Sequence, residues 1–247
     1  MANNYFRFKE FIVHQDLCAM KVTTDACLFG AWVTAQIERT GADPIDGPIA
    51  PRILDIGAGT GLLALMIAQK TSGPIDAIEL DTVAAGQAGE NFSLSPWKER
   101  LRIFNGDILE FPLSANYSTI VSNPPFYENE LRSPDERKNM AHHDGGLLLD
   151  KLAGIVKQTL APGGRFYLLA PYKRLDEVER LLEENGLYPS KIVRVRPSEK
   201  HDYFRIMVEA EDRPSGQVQT EDISVWNAQQ KYTPAFVELL KDYYLHL

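Results

Sequence analysis

One stretch limits the fold more than any other. Residues 51–56 (Pro-Arg-Ile-Leu-Asp-Ile) form a short apolar run ending in Gly57-Ala58-Gly59-Thr60-Gly61, after which Leu62, Leu63, Leu65, Met66 and Ile67 recur at helical spacing. A change of hydrophobic period across a glycine cluster predicts strand, tight turn and helix. The alternation then repeats: strands are predicted at 75–80, 101–104, 118–121, 165–169, 188–196 and 203–210, and helices at 82–94, 147–160 and 173–185. Strands alternating with helices define an α/β fold whose mostly parallel sheet is covered on both faces. The last two strands are separated by a turn too short for a crossover helix, so they pair antiparallel.

Three pieces lie outside this alternation. Residues 5–13 resemble an edge strand or hairpin, and 24–37 a helix with Thr24 as its N-cap. Residues 39–50 and 211–222, rich in Gly, Pro, Asp and Glu, read as surface connections. From Pro234 onward, Phe236, Val237, Leu239, Leu240, Tyr243 and Tyr244 fall at helical spacing, and their apolar face predicts docking onto the body. The expected organisation is a single domain over 1–247, with an N-terminal extension (1–44), a core (45–210), and a linker with a C-terminal helix (211–247).

Composition narrows the class. Lys+Arg 26 against Asp+Glu 34 leaves a formal charge of −8, which excludes a globally basic nucleic-acid coat, and 44% hydrophobic residues exclude extensive disorder. No run approaches the roughly 18 consecutive apolar residues of a membrane span, and the N-terminus lacks a secretory apolar stretch, so a cytoplasmic location is expected. Cys18 and Cys27 lack CxxC spacing and read as reduced, buried thiols rather than zinc ligands. His142-His143-Asp144 is a poor metal motif, because adjacent histidines share neither a helix nor a strand face. No metal is expected.

The glycine turn carries the first chemical signal. Backbone N–H groups and a helix N-terminus favour a ligand, and the missing Cβ atoms allow close approach. Gly57, Gly59 and Gly61 follow GxGxG rather than the GxGxxG of a dinucleotide site, and Asp55 just before the turn would repel a pyrophosphate. The ligand is therefore nucleoside-like with a cationic or zwitterionic group. Glu79, at the end of the second strand, can accept hydrogen bonds from ribose hydroxyls, and Asp107, after the third, can reach an adenine amino group. This constellation resembles the Rossmann-like S-adenosylmethionine-dependent methyltransferases. The resemblance implies a seven-stranded sheet with its last strand antiparallel, and a turn that holds the methionine moiety of S-adenosylmethionine.

Ser122-Asn123-Pro124-Pro125-Phe126-Tyr127 follows the fourth strand, and its two prolines stiffen the loop. The Asn123 side-chain oxygen and the Pro124 carbonyl can hold the hydrogens of an exocyclic amine as its nitrogen becomes tetrahedral, and Phe126 or Tyr127 can stack on a flat acceptor. The motif resembles the signature of amino-methyltransferases, whose acceptors include adenine N6, guanine N2 of ribosomal RNA and a protein glutamine. The front segment, with Met20-Lys21-Val22 and Thr24-Asp25 preceding Leu28 and Gly30-Ala31-Trp32, is similar to the bacterial tRNA1(Val) adenine-N6 methyltransferase family. That resemblance places Lys21, Thr24 and Asp25 against the cofactor, gives Asn123 a share in holding it, and makes tRNA the partner. An amino-methyltransferase of other substrate and a non-catalytic RNA-binding module of the same fold remain as alternatives.

An acidic total leaves room for a local basic surface. Residues 190–205 hold Lys191, Arg194, Arg196, Lys200 and Arg205 against Glu199 and Asp202, a net of +3. Arg194 and Arg196 share a strand face, with His201 and Tyr203 beside the turn. The long polar stretch 128–145 adds Arg132, Arg137 and Lys138, which can close over RNA.

Overall fold

The computed structural model describes residues 3–40, 52–112, 116–125, 145–214 and 216–247. A two-stranded antiparallel hairpin, β1 (Tyr5–Arg7) and β2 (Ile12–His14), precedes α1 (Thr24–Thr40). The main sheet comprises β3 (Ile53–Ile56), β4 (Ile75–Glu79), β5 (Leu101–Asn105), β6 (Tyr117–Ser122), β7 (Leu160–Pro171), β8 (Tyr188–Ser198), β9 (Arg205–Glu211) and β10 (Gln219–Trp226). Its strand order is β10-β8-β9-β7-β6-β3-β4-β5. The helices are α2 (Leu62–Lys70), α3 (Thr82–Leu94), α4 (Gly145–Thr159), α5 (Leu175–Glu184) and α6 (Pro234–Leu240).

Period two in the central strands sorts the core onto two faces. In β7, Phe166, Leu168 and Ala170 pack with Leu149, Leu152 and Val156 of α4 and Val178, Leu181 and Leu182 of α5. Tyr167 and Leu169 point the other way, into a cluster with Phe29 and Trp32 of α1, Leu65 and Met66 of α2, and Phe236 of α6. Both faces are covered, so β3 and β6 are buried at every position and β7 from Phe166 to Pro171.

β9 alone runs against the rest, antiparallel to both β7 and β8, as the short turn between β8 and β9 requires. The sheet also has an eighth strand. β10 lies parallel to β8 in register from Gln219↔Lys191 to Trp226↔Ser198, in a stretch whose first half reads as a surface connection. Its first four residues are exposed, and only Ile223 and Val225 are buried, so the hydrophobic signal of a strand is confined to two alternate positions. The α1 cap falls one residue before the expected Thr24: Thr23 Oγ1 accepts from Ala26 N–H at 3.4 Å.

Strand order reverses between β3 and β6. β4 and β5 continue on one side of β3, and β6 and β7 on the other. A crevice outside the carboxyl ends of the strands at such a reversal is the ligand position of open α/β sheets.

Candidate active site

The register Ile56↔Ser122 sets the ends of β3 and β6 side by side. Gly57 therefore neighbours Asn123 across the strand reversal, and Ser122 Oγ donates to the Ile56 carbonyl at 2.9 Å to tie the two ends together. On the other flank, Gly57 N–H and Ala58 N–H both donate to the Ile78 carbonyl, at 2.9 and 3.1 Å, and fold the turn back over β4. Gly57 and Gly59 have φ of +76° and +54°, and a Cβ at either would meet no heavy atom within 4 Å. The turn is thus a concave backbone surface open to a ligand.

Acids line this crevice. Asp55 is fully buried; its Oδ2 accepts from Ala64 N–H at 3.2 Å, while Oδ1 has no partner among the described residues. Burial raises its carboxyl to about 7, opposed by the Ala64 hydrogen bond and assisted by the nearby Glu79 charge. Glu79 stands at the end of β4, where Oε2 accepts from Gly59 N–H at 2.8 Å and Oε1 from Asp81 N–H at 2.9 Å. Asp107 Oδ1 accepts from Leu109 N–H at 2.9 Å and closes the turn after β5. Asn105 bridges these two acids' segments, donating from Nδ2 to the Glu79 and Leu80 carbonyls at 2.9 and 3.1 Å.

Asn123, Pro124 and Pro125 follow β6 at the same edge, and the Asn123 amide makes no hydrogen bond to another described residue. Phe126, Tyr127, Arg132, Arg137 and Lys138 lie outside the described residues, as does His142-His143-Asp144. Among the described residues no group of three or more His, Cys, Asp or Glu could hold a metal, and no helix is long and apolar enough to cross a membrane.

The front residues divide. Lys21 turns onto its own loop, with Nζ donating to the Cys18 carbonyl at 2.9 Å and to that of Gln15. Thr24 opens α1 and is exposed. Asp25 reaches across to the start of β9, where Arg205 Nε donates to its Oδ2 at 2.8 Å. Cys18 and Cys27 are buried free thiols.

The basic stretch also lies toward the carboxyl edge, but β10 alters its charge. Arg194 is held by Asp222 through two hydrogen bonds, at 2.7 and 3.2 Å, and Lys191 pairs with Glu221 at 2.7 Å. Arg196 instead donates to the neutral Ser224 Oγ at 2.8 Å, and its guanidinium carbon lies 5.5 Å from the Tyr203 ring centroid. Lys200 is exposed in the turn. Arg205, counted in the sequence only as part of the basic stretch, pairs instead with Asp25, and two residues absent from the sequence reading, the α3 amides Gln87 and Asn91, tie the front segment to the site. The available signal was two amides four residues apart on a helix otherwise rich in Ala and Gly.

An open sheet with one reversed strand, a glycine cradle and an acid at each of the next two strand ends define a Rossmann-like methyltransferase. Residues 42–184 match the methyltransferase small domain family. Among solved structures, an Agrobacterium tumefaciens protein described as a predicted O-methyltransferase superposes with a TM-score of 0.62 at 16% identity, covering 88% of this chain and 96% of that one. A glycopeptide N-methyltransferase complexed with S-adenosylmethionine superposes with a TM-score of 0.52 at 16% identity, covering 75% and 94%. At these identities the likeness concerns the fold. Whole-length relatives are nearer. The tRNA1(Val) (adenine(37)-N6)-methyltransferases of Dyadobacter fermentans and Parabacteroides distasonis are 40% and 36% identical, covering 98% and 100% of both chains. The chain belongs to the tRNA1(Val) (adenine(37)-N6)-methyltransferase family.

Proposed function

We propose that this chain transfers a methyl group from S-adenosylmethionine to the exocyclic N6 of adenosine 37, beside the anticodon of valine tRNA. The observation that carries the reading is the Ile56↔Ser122 register, which brings a nucleoside cradle and an amine-holding loop to one crevice. The residues fit the cofactor: the open space over Gly57 and Gly59 admits a close ligand, and the orphaned Asp55 Oδ1 suits a cationic one. S-adenosylmethionine, when bound, supplies an electrophilic methyl group on a sulfonium.

This chain's own residues do the rest. Gly57 and Gly59 hold the methionine portion, with Asp55 beneath, and Gly61 packs the turn onto Phe92. Glu79 offers its carboxylate to ribose hydroxyls, and Asp107 to the adenine amino group. Asn123 Oδ1 and the Pro124 carbonyl accept the two N–H hydrogens of the target amine, which turns its lone pair toward the methyl and stabilises positive charge as it develops on nitrogen. No strong base is needed to create the nucleophile, because the lone pair is freed by leaving conjugation with the ring. Arg196 and Lys200, with Arg194, supply phosphate contacts near the carboxyl edge.

Asn123→Ala tests the acceptor role. Methyl transfer to tRNA is expected to fall by roughly 10²–10³-fold while calorimetric cofactor affinity stays near that of the parent protein. Turnover within a few-fold of the parent would remove Asn123 from the chemistry.

A further inference from the structure

α3 presents two side-chain amides to the protein interior. Gln87 and Asn91 are each 1% exposed, among Ala84, Ala85, Ala88 and Phe92. A buried amide left unpaired is costly, yet each side-chain nitrogen and oxygen of both has a hydrogen-bond partner. Gln87 Oε1 accepts from Leu17 N–H and Cys18 N–H, each at 3.1 Å, and Nε2 donates to Asp16 Oδ1 at 2.8 Å. Asn91 pairs with His14 as a neighbouring strand would: Oδ1 accepts from its N–H at 2.8 Å and Nδ2 donates to its carbonyl at 2.9 Å. The second Asn91 hydrogen goes to the Thr60 carbonyl, inside the glycine turn, at 2.9 Å.

After β2 the chain leaves regular structure until α1. Residues 15–22 are braced by one another, with Gln15 Oε1 accepting from Val22 N–H at 2.7 Å and Lys21 Nζ capping two carbonyls, and by the start of the hairpin, where Gln15 N–H and Nε2 donate to the Asn4 and Asn3 carbonyls at 2.8 and 2.9 Å. Among the described residues, the hydrogen bonds joining 14–18 to the sheet-and-helix body all come from α3. The segment also borders the cofactor crevice. The Cys18 thiol is raised to about 11, first by burial and then by the charge of Glu79, the same carboxylate that accepts from Gly59 N–H.

We propose that Gln87 and Asn91 are positioning residues that clamp the front segment against the glycine turn, so that this wall of the cofactor crevice is preorganised before the cofactor arrives. The proposal rests on the reading that the crevice takes S-adenosylmethionine. Without the clamp, binding must itself order residues 14–18, and that cost falls on cofactor affinity rather than on the tRNA surface.

The test uses the full chain and S-adenosylhomocysteine as calorimetric probe. Gln87→Met keeps the shape and removes all three hydrogen bonds. It is expected to weaken binding by roughly tenfold, to raise KM for the cofactor, and to leave KM for tRNA and kcat at saturating cofactor within about twofold. Amide exchange is expected to accelerate at Leu17 and Cys18 but not in β3 or β6. A second pair guards against a variant that does not fold. Gln87→Glu keeps the acceptor but opposes two carboxylates, and is expected to weaken binding. Adding Asp16→Asn restores a donor to that carboxylate and is expected to recover affinity to within about threefold. Unchanged affinity in Gln87→Met despite faster exchange, a parallel rise in both KM values, or no recovery in the double variant would overturn the clamp. Failure of the parent protein to bind S-adenosylhomocysteine would overturn the cofactor reading and the clamp with it.

Discussion

Asp55 gives the site its pH dependence. With Glu79 as the facing charge, burial raises its carboxyl to about 7 in the ligand-free chain, against about 3.9 in an unfolded one. Between these values the native state holds the proton and the unfolded state does not. The resulting stabilisation is complete below about pH 4 and is lost as pH rises through about 7. A cationic ligand group prefers the ionised form, so cofactor affinity is expected to increase from about pH 6 to about pH 8. Calorimetry across that range checks this, with Asp55→Asn expected to bind more weakly and with a flattened profile. The two strand arginines also separate. Arg194 is already neutralised by direct hydrogen bonds to Asp222, whose carboxyl it holds below the usual carboxylate range, whereas Arg196 bonds a neutral hydroxyl, lies against the Tyr203 ring and meets Asp222 only through its field. Arg196→Ala is therefore expected to lower the salt slope of tRNA binding by about 0.7–0.9, and Arg194→Ala by less. Equal slopes in filter binding at several salt concentrations would contradict the distinction.

At the level of elements, the glycine turn meets two different demands. Gly57 and Gly59 leave space for a ligand, whereas Gly61, at φ +79°, abuts the packed core, and a Cβ there would lie 2.5 Å from the Phe92 ring of α3. Gly61→Ala combines overpacking with left-handed strain and is expected to cost about 1–3 kcal/mol, read as a lower urea midpoint. α3 itself was readable to its ends, because Asp81 caps it locally, accepting from Val83 and Ala84 N–H at 2.9 and 2.8 Å. β10 was not. Four exposed polar residues precede its two buried ones, and the strand exists because β8 offers an edge and Lys191 and Arg194 offer partners for Glu221 and Asp222. The charge of 190–205, counted along the chain, overstates the basic surface for the same reason.

Over the whole molecule, the alternation of strands and helices was legible because the central strands are buried on both faces and leave short, mainly apolar or β-branched runs between turn residues and helical spacing. Both arms of the site were legible too, since the Asp55–Gly61 turn and the Ser122–Pro125 loop are each contiguous. What escaped reading is what only folding creates. The Asp25–Arg205 bridge joins residues far apart in sequence, and the α3 amides acquire meaning only from the segment they hold. The sheet order explains why distant motifs cooperate, since the strand reversal makes β3 and β6 neighbours although two strands and two α-helices intervene in the chain. The central claim is that this crevice methylates adenine N6 in tRNA. Its most direct test is transfer from labelled S-adenosylmethionine to total tRNA of a strain lacking the gene, followed by nucleoside digestion and mass analysis. N6-methyladenosine at position 37 of valine tRNA is the predicted result. Label appearing only in ribosomal RNA or protein, with tRNA unlabelled, would contradict the account.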